Sequence, residues 1–379
     1  MQMIMLDEAK PNTFVRANGV ASARPYRPLL EIDSLRIKDT EPAMQSLHFI
    51  LSLLVVLSLL SVSSGTEPGD SAVLLVANKS ARTLGIVDPV AGLQVATVAE
   101  DGTTGHEVAA SPDGRLAYVP IYGNSGVGKP GTDGRTLVVI DIAARKIVGN
   151  LDFGHGVRPH CAVFRPKDGL LYVTTELDQT ISIIDPHTLK IVGTVPTGQP
   201  ESHMLAISPD GKRGYTANVG PGTVSVLDME ARKTLTVIPV APVVQRISLS
   251  VDGRLAFTSD QTKPQLAAID TASNKVKTWI PLPAPGYGTA STPDGRWLVV
   301  AVPTANKVAI VDLDAMKVAR LIDVPAAPQE VVVRPDGKAA YVSCDASRKI
   351  AAIRTSDWTV EKLIDAGAGA DGLAWASRK

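Results

Sequence analysis

Three histidines occupy one position in consecutive sequence repeats. His106, His160 and His203 each precede a turn of the Ser-Pro-Asp-Gly type or a close variant, and aligning the chain on these turns superimposes them. The whole chain has six histidines, so three at one repeat position indicate a shared site. Converging imidazoles are sound ligands for zinc or copper, and histidine also titrates near neutral pH.

The residues around this repeat position extend the predicted site. The same position in the other repeats carries Gln245, Tyr287, Gln329 and Asp371. We expect these four side chains to contact a ligand. Glu107, next to His106, would add an oxygen ligand to a metal ion. Arg158 and Arg246 lie within two residues of the same position, and their guanidinium groups would favour an anionic ligand.

Three uses of the histidine cluster stay open at this point. The first is a metal centre with one copper or zinc ion, formed by the histidines and Glu107. The second is contact with a non-metal ligand or substrate, including acid–base chemistry. The third is hydrogen bonding to backbone carbonyls and channel water. Cys161 would join a copper site only if the strand register shifted by one residue, because neighbouring residues on a strand point to opposite faces.

The elements that must position these residues form a repeat. The turn glycines Gly169, Gly211, Gly253, Gly295 and Gly337 are spaced by 42 residues, a period typical of one propeller blade. Proline presets φ and glycine accepts positive φ, so Pro-Asp-Gly predicts a hairpin turn. One repeat shows the four apolar segments clearly, and they are Met204–Ser208, Gly214–Asn218, Thr223–Asp228 and Lys233–Val240.

The ends of the repeat region complete one blade between them. The second segment of the repeat recurs seven times from Val73 onwards, whereas the last first segment, Gly372–Ser377, stands alone at the C-terminus. Pairing these ends leaves no open sheet edge. The sequence therefore predicts an all-β, seven-bladed β-propeller with four-stranded antiparallel blades, closed by pairing of the N- and C-terminal strands.

One repeat is longer than the others. An insertion from Gly123 to Arg135 separates its second and third segments. Strand direction places this loop on the histidine side, so it is predicted to be a lid over the channel mouth or a glycine-rich hairpin tip without a role. It does not match the GxxxxGK[ST] phosphate loop, because Pro130 follows Lys129 and no helix follows.

The repeats resemble the YVTN-type β-propeller family over roughly residues 72–377. The motifs that carry the resemblance are Tyr172-Val173-Thr174-Thr175, Tyr215-Thr216-Ala217-Asn218, Ile181-Ser182-Ile183-Ile184-Asp185, and the Ser-Pro-Asp-Gly turns. The resemblance implies a propeller fold. The wider seven-bladed group includes extracytoplasmic binding proteins, lactonase-like hydrolases and propeller parts of copper- or quinone-linked oxidoreductases, so it does not select one function.

The N-terminal segment has the layout of an export signal. Residues 47–62 are apolar and uncharged, with Arg36 and Lys38 before them and small residues after them. This stretch is short for a membrane span of about 20 residues. We expect residues 44–66 to be a signal peptide or an uncleaved anchor, residues 1–43 to be an extension upstream of a true start at Met44, and residues 67–379 to form the propeller.

Composition removes several classes of function. The chain has 38 Lys plus Arg and 38 Asp plus Glu, so no basic surface predicts a nucleic-acid partner. Two cysteines provide neither a disulfide framework nor a CxxC metal motif. There is also no c-type haem or dinucleotide motif.

The sequence predicts a monomeric, periplasmic or secreted binding module. It would hold a metal ion or small anionic ligand at the channel mouth and present its top face to a protein partner. Membrane contact would require an uncleaved N-terminal segment. The alternative is an enzyme, either a lactonase-like hydrolase or a copper- or zinc-dependent oxidoreductase that uses the three histidines.

Overall fold

The protein folds into seven four-stranded antiparallel sheets. The computed structural model describes residues 72–124 and 126–377. The predicted N-terminal extension and signal segment, residues 1–43 and 44–66, lie outside the described residues. In the part that is described, no helix is long and apolar enough to cross a membrane.

Each sheet has four strands, from the innermost at the channel to the outermost, and the strands are numbered in chain order. The innermost strands are β4 (Ala109–Ala110), β8 (Pro159–Phe164), β12 (Ser202–Ile207), β16 (Val244–Leu249), β20 (Thr289–Ser291), β24 (Pro328–Val333) and β28 (Ala370–Ala376). The second strands are β1 (Val73–Asn78), β5 (Leu116–Gly123), β9 (Leu171–Thr175), β13 (Arg213–Asn218), β17 (Leu255–Asp260), β21 (Trp297–Val302) and β25 (Ala339–Cys344).

The third and the outermost strands of the seven sheets follow in the same order. The third strands are β2 (Thr83–Asp88), β6 (Asp133–Asp141), β10 (Thr180–Asp185), β14 (Thr223–Asp228), β18 (Gln265–Asp270), β22 (Lys307–Asp312) and β26 (Lys349–Arg354). The outermost strands are β3 (Leu93–Ala99), β7 (Lys146–Asp152), β11 (Lys190–Pro196), β15 (Lys233–Pro239), β19 (Lys275–Pro281), β23 (Lys317–Asp323) and β27 (Thr359–Asp365). A short 3-10 helix covers Pro303–Ala305.

The predicted closure of the ring is confirmed. β28 pairs with β1 in the sheet β28-β1-β2-β3, and Leu75 lies opposite Ala374. The innermost strands of neighbouring blades contact one another around the ring. Because of this pairing, the first blade has four strands like the other six.

Burial follows from the position of each strand in its blade. Second and third strands are covered by neighbouring blades on both faces, so β1 and β10 are buried along almost their whole length. Outermost strands such as β3 alternate between exposed side chains and partly or fully buried ones. Apolar side chains pack between adjacent blades, as where Leu74 and Val76 meet Tyr341. The repeated turn glycines adopt φ near +70°, as the turn motif predicts, with Gly253 at 70° and Gly295 at 72°.

Candidate functional site at the channel mouth

The blade register brings the predicted residues to one rim. In five blades the outermost paired residue of the innermost strand lies opposite the end of the second strand or directly beside it, as Pro159 lies opposite Thr175 and Ser202 opposite Asn218. The residue after that pair is His160 or His203, and the corresponding residues in the other three are Gln245, Gln329 and Asp371. The alignment on the turns therefore identified equivalent positions in the fold.

A β-bulge follows this position in several blades. The register of β16 shifts between Gln245 and Ser248, and that of β24 shifts between Pro328 and Val331. A bulge places two residues of one strand opposite one residue of its partner. Two consecutive residues can then face the channel, which is how Gln245 and Arg246 both reach it.

The three histidine rings lie together around a tyrosine, and these four residues form the imidazole cluster. The ring centroids of His160 and His203 are 3.5 Å apart, and those of His106 and His160 are 5.6 Å apart. The Tyr122 ring lies 4.9 Å from His106, 5.2 Å from His160 and 5.5 Å from His203. Three blades thus contribute to one compact group of aromatic donors.

Glu176 fixes the orientation of His203. Its carboxylate lies 3.0 Å from Nδ1 of His203 and accepts a hydrogen bond of 2.9 Å from the Tyr122 hydroxyl. Because the carboxylate is the acceptor, we assign the proton of the neutral His203 ring to Nδ1. Its Nε2 is then left as a lone-pair donor. Histidines that bind a metal through Nε2 commonly donate a hydrogen bond from Nδ1 to a carboxylate.

Burial keeps the imidazoles uncharged at neutral pH. Burial lowers the pKa of His106 to about 4, against a smaller opposing effect of Asp371. The pKa of His160 lies well below its ordinary value because of burial and the neighbouring histidines. Burial also lowers the pKa of His203, although its bond to Glu176 opposes the shift. All three rings are therefore available as neutral ligands near pH 7.

His160 carries a buried nitrogen without a partner. Its side chain is 2% exposed, and its Nδ1 has no hydrogen-bond partner among the described residues. Leaving a buried polar atom unsatisfied costs about 1–3 kcal/mol. The ring that carries this atom lies 3.5 Å from the His203 ring, measured between centroids.

A second group of charges crosses the channel, and we call it the ion cluster. Arg246 forms ion pairs with Glu107, with Glu330 at 2.7 Å and with Asp371 at 3.0 Å. These carboxylates come from three different blades. Lys79 adds contacts to Asp371 at 3.1 Å and to Asp345 at 3.0 Å, which completes the cluster.

The charges in the ion cluster compensate one another. Burial raises the pKa of Glu107 to about 8, although Arg246 opposes the shift. Burial would lower the pKa of Arg246, but the surrounding carboxylates outweigh it and the guanidinium stays charged. Among the described residues, buried Arg246 and half-buried Lys79 both have carboxylate partners. The expectation that Arg246 contacts a small anionic ligand stays a prediction.

The remaining predicted residues lie either at the channel mouth or at its edge. Gln245 donates a hydrogen bond of 3.0 Å to the Tyr287 hydroxyl, and Arg246 lies 4.8 Å from the centre of the Tyr287 ring. The side chain of Gln329 bonds to the nearby Ala327 carbonyl. Arg158 lies at the edge, with its Nη1 3.8 Å from Glu176.

Cys161 does not act as a ligand in this arrangement. Its thiol lies 3.6 Å from the Leu205 carbonyl, and burial raises its pKa to about 12. The thiol is therefore protonated at neutral pH, as expected for a structural cysteine.

Sequence reasoning missed five residues of the site, one of which, Glu330, directly follows Gln329 on β24. Tyr122 lies at the end of β5, and Lys79, Glu176 and Asp345 directly follow the second strands β1, β9 and β25. Since second strands end at the same rim at which the innermost strands begin, their last residues line the mouth as well. In the sequence, the residues at the ends of the second strands are therefore the signal that identifies these side chains.

The three histidines are close but do not form a metal-binding triad by themselves. Across residues 72–124 and 126–377, no group of three or more His, Cys, Asp or Glu side chains has an arrangement that could hold a metal ion. The rings of His160 and His203 lie face to face at an interplanar angle of 30°, and Nδ1 of His203 is used by Glu176. The three-histidine metal centre with Glu107 stays a prediction.

Comparison with known proteins identifies the family of the chain. The Cytochrome D1 heme domain family matches residues 131–335, which is more than half of the chain. This chain belongs to the Cytochrome D1 heme domain family. The matched region includes His160, His203 and Glu176.

Two relatives agree with the propeller fold of this family member. The seven-bladed beta-propeller protein Rv1057 of Mycobacterium tuberculosis is 29% identical over 175 residues, which are 46% of this chain and 40% of that protein. The chain thus spans less than half the length of this curated relative. Hydrazine synthase of Kuenenia stuttgartiensis has 21% identity and a TM-score of 0.63, and the match covers 77% of this chain and 99% of that one. This second likeness shows the fold alone, and the YVTN-type repeat stays a resemblance.

The donor set of this family member fits a haem iron. Haem iron takes one or two axial ligands from the protein, often an imidazole nitrogen, and needs no three-residue donor group. His203 has a carboxylate behind Nδ1 and a neutral ring, and His160 presents a buried nitrogen without a partner in the described chain. His203 would therefore hold the iron of a bound haem, and His160 would offer a polar contact.

Proposed function

We propose that this chain is an exported binding propeller that holds a haem at the channel mouth through the imidazole of His203. The observation that carries the proposal is the hydrogen bond between Glu176 and Nδ1 of His203 at 3.0 Å. This bond directs the lone pair of Nε2 away from the carboxylate and raises its basicity. Bound haem would supply an iron centre for electron transfer or for binding a small ligand.

The other residues of the mouth support such a centre. His160 and Tyr122 lie against His203 with ring centroids 3.5 Å and 5.5 Å away. Both rings cover the imidazole, and Nδ1 of His160, which has no partner in the described chain, offers a hydrogen bond to a bound ligand. The ion pairs of Arg246 lie at the same rim and join blades across the channel.

Export belongs to the same proposal. It is supported by the apolar, uncharged residues 47–62, which have the layout of a signal peptide. A protein partner on the top face and a metal ion without haem are the wider forms of the predicted binding function. The lactonase-like hydrolase has no further support from the described geometry.

Titration with hemin tests the proposal. The wild-type protein should give a shifted Soret band that saturates near one equivalent, and His203→Ala should weaken binding about 10-fold or more. His187→Ala is the matched control, because His187 is exposed in the turn after β10 at the opposite end of the blade. Equal binding by wild type and His203→Ala, or no hemin spectrum in the wild type, would contradict the proposal. Copper or zinc binding in place of hemin would favour the metal-ion form.

A further inference from the structure

A buried arginine connects the imidazole cluster to the inserted hairpin. The side chain of Arg158 is 6% exposed. Its Nε donates a hydrogen bond of 2.6 Å to Asp133, and its Nη2 donates one of 2.7 Å to the Lys129 carbonyl. Its Nη1 lies 3.4 Å from the Gly126 carbonyl and 3.8 Å from Oε1 of Glu176.

The hairpin is an addition to the propeller. It joins β5 to β6 across residues 124–132, whereas β13 and β14 are joined by residues 219–222 alone. The blade does not need the longer connection to complete its four strands. Two of the groups that bind Arg158 lie in this connection, and the third, Asp133, is the first residue of β6, so its guanidinium is held mainly by the inserted hairpin and its base.

The fourth contact of Arg158 leads to the imidazole cluster. Glu176 is 2% exposed and shares its carboxylate among Nδ1 of His203, the Tyr122 hydroxyl and the Arg158 guanidinium. A buried carboxylate with this set of donors has one preferred orientation. If the guanidinium moves, the carboxylate is free to turn towards Tyr122 and to release His203.

We infer that Arg158 is a positioning residue, which sets the tautomer of His203 through Glu176 and makes it dependent on the position of the inserted hairpin. The inference deepens the proposed function, on which it rests, because the tautomer determines whether Nε2 is a free ligand. Movement of residues 126–133 would change the affinity of the mouth for its ligand. Arg158 itself does not touch that ligand.

Nitrogen-15 NMR of the histidine rings in the ligand-free full chain tests the inference. Wild-type His203 should carry its proton on Nδ1 only. In Arg158→Gln the two tautomers should both be populated. The affinity for hemin should fall about 10- to 100-fold, as when the hydrogen-bond support of a ligand histidine is lost. Arg135→Gln is the matched control, since Arg135 lies in the same hairpin but binds exposed Asp152.

The outcomes separate this inference from the proposed function. An unchanged Nδ1–H tautomer and unchanged hemin affinity in Arg158→Gln would overturn the positioning role. A tautomer change without hemin binding by the wild type would support the positioning role and contradict haem binding. If Arg158→Gln fails to fold, Asp133→Ala provides the same test, because Asp133 is 38% exposed and its substitution removes the acceptor that orients the guanidinium.

Discussion

Some ionisable side chains near the mouth are buried although the packing of the blades does not require their burial. Glu100 is an example, because its carboxylate accepts a hydrogen bond of 2.7 Å from the Gly105 amide, next to His106. Its other oxygen is buried and has no partner among the described residues. Burial raises the pKa of Glu100 to about 7. The segment that carries His106 is therefore held by a group that is half protonated near neutral pH.

Glu100→Gln should stabilise the protein increasingly as the pH rises. A carboxyl group with a raised folded-state pKa contributes stability below its unfolded pKa, here 4.5, and this contribution is lost as the pH rises to about 7. The variant keeps the neutral form, so its stability advantage should be near zero at pH 4.5. It should grow to at most about 3 kcal/mol above pH 7. Chemical denaturation at several pH values measures the difference.

Glu230→Gln serves as the comparison for this experiment. Glu230 is exposed, and its hydrogen bond to Lys167 lowers its pKa, so its substitution should give a small difference of the opposite sign. A pH-independent difference for Glu100→Gln would show that Glu100 titrates alike in the folded and unfolded chain.

The sequence predicted some residues of the site and missed others for a physical reason. His106, His160 and His203 were found because they share a repeat position, and the ring symmetry of the blades converts a shared position into proximity. Tyr122 and Glu176 come from different blades and share no residue type. Their roles follow from contacts across blades, which no single repeat encodes.

At the level of strands and turns, the repeat determined the structure almost completely. β14 covers Thr223–Asp228, as predicted, and β12 begins two residues before the predicted Met204. The extra residues of β12 include His203, and they belong to the irregular rim where the register shifts. Turn chemistry specifies the regular end of each blade, whereas the bulged end depends on packing around the channel.

The turn glycines allow a matched pair of substitutions. Gly295 has φ of +72° and open space around its Cβ position, so Gly295→Ala should cost only the backbone strain of about 1–2 kcal/mol. Gly253 has φ of +70°, and an added Cβ would lie 2.9 Å from Cδ of Pro209. Gly253→Ala should therefore cost more. Urea denaturation measures both, and a neutral Gly295→Ala would refute the role assigned to positive φ.

On the scale of the whole molecule, the propeller creates a site that no blade contains. The imidazole cluster draws on three blades, and Arg246, from a fourth blade, reaches carboxylates on three blades, one of which also carries His106. The closed ring fixes these side chains relative to one another. The seven-bladed architecture was predictable from spacing alone, but the ion cluster was not, because it joins residues up to 292 positions apart.

The central claim is that the mouth holds haem iron through His203. The most direct test is the iron and haem content of the protein isolated from its export compartment without chelators, beside His203→Ala and His187→Ala. The account predicts about one haem iron per chain in the wild type and in His187→Ala, and loss of it in His203→Ala. Protein free of metal in all three samples, or iron retained in His203→Ala, would contradict the account.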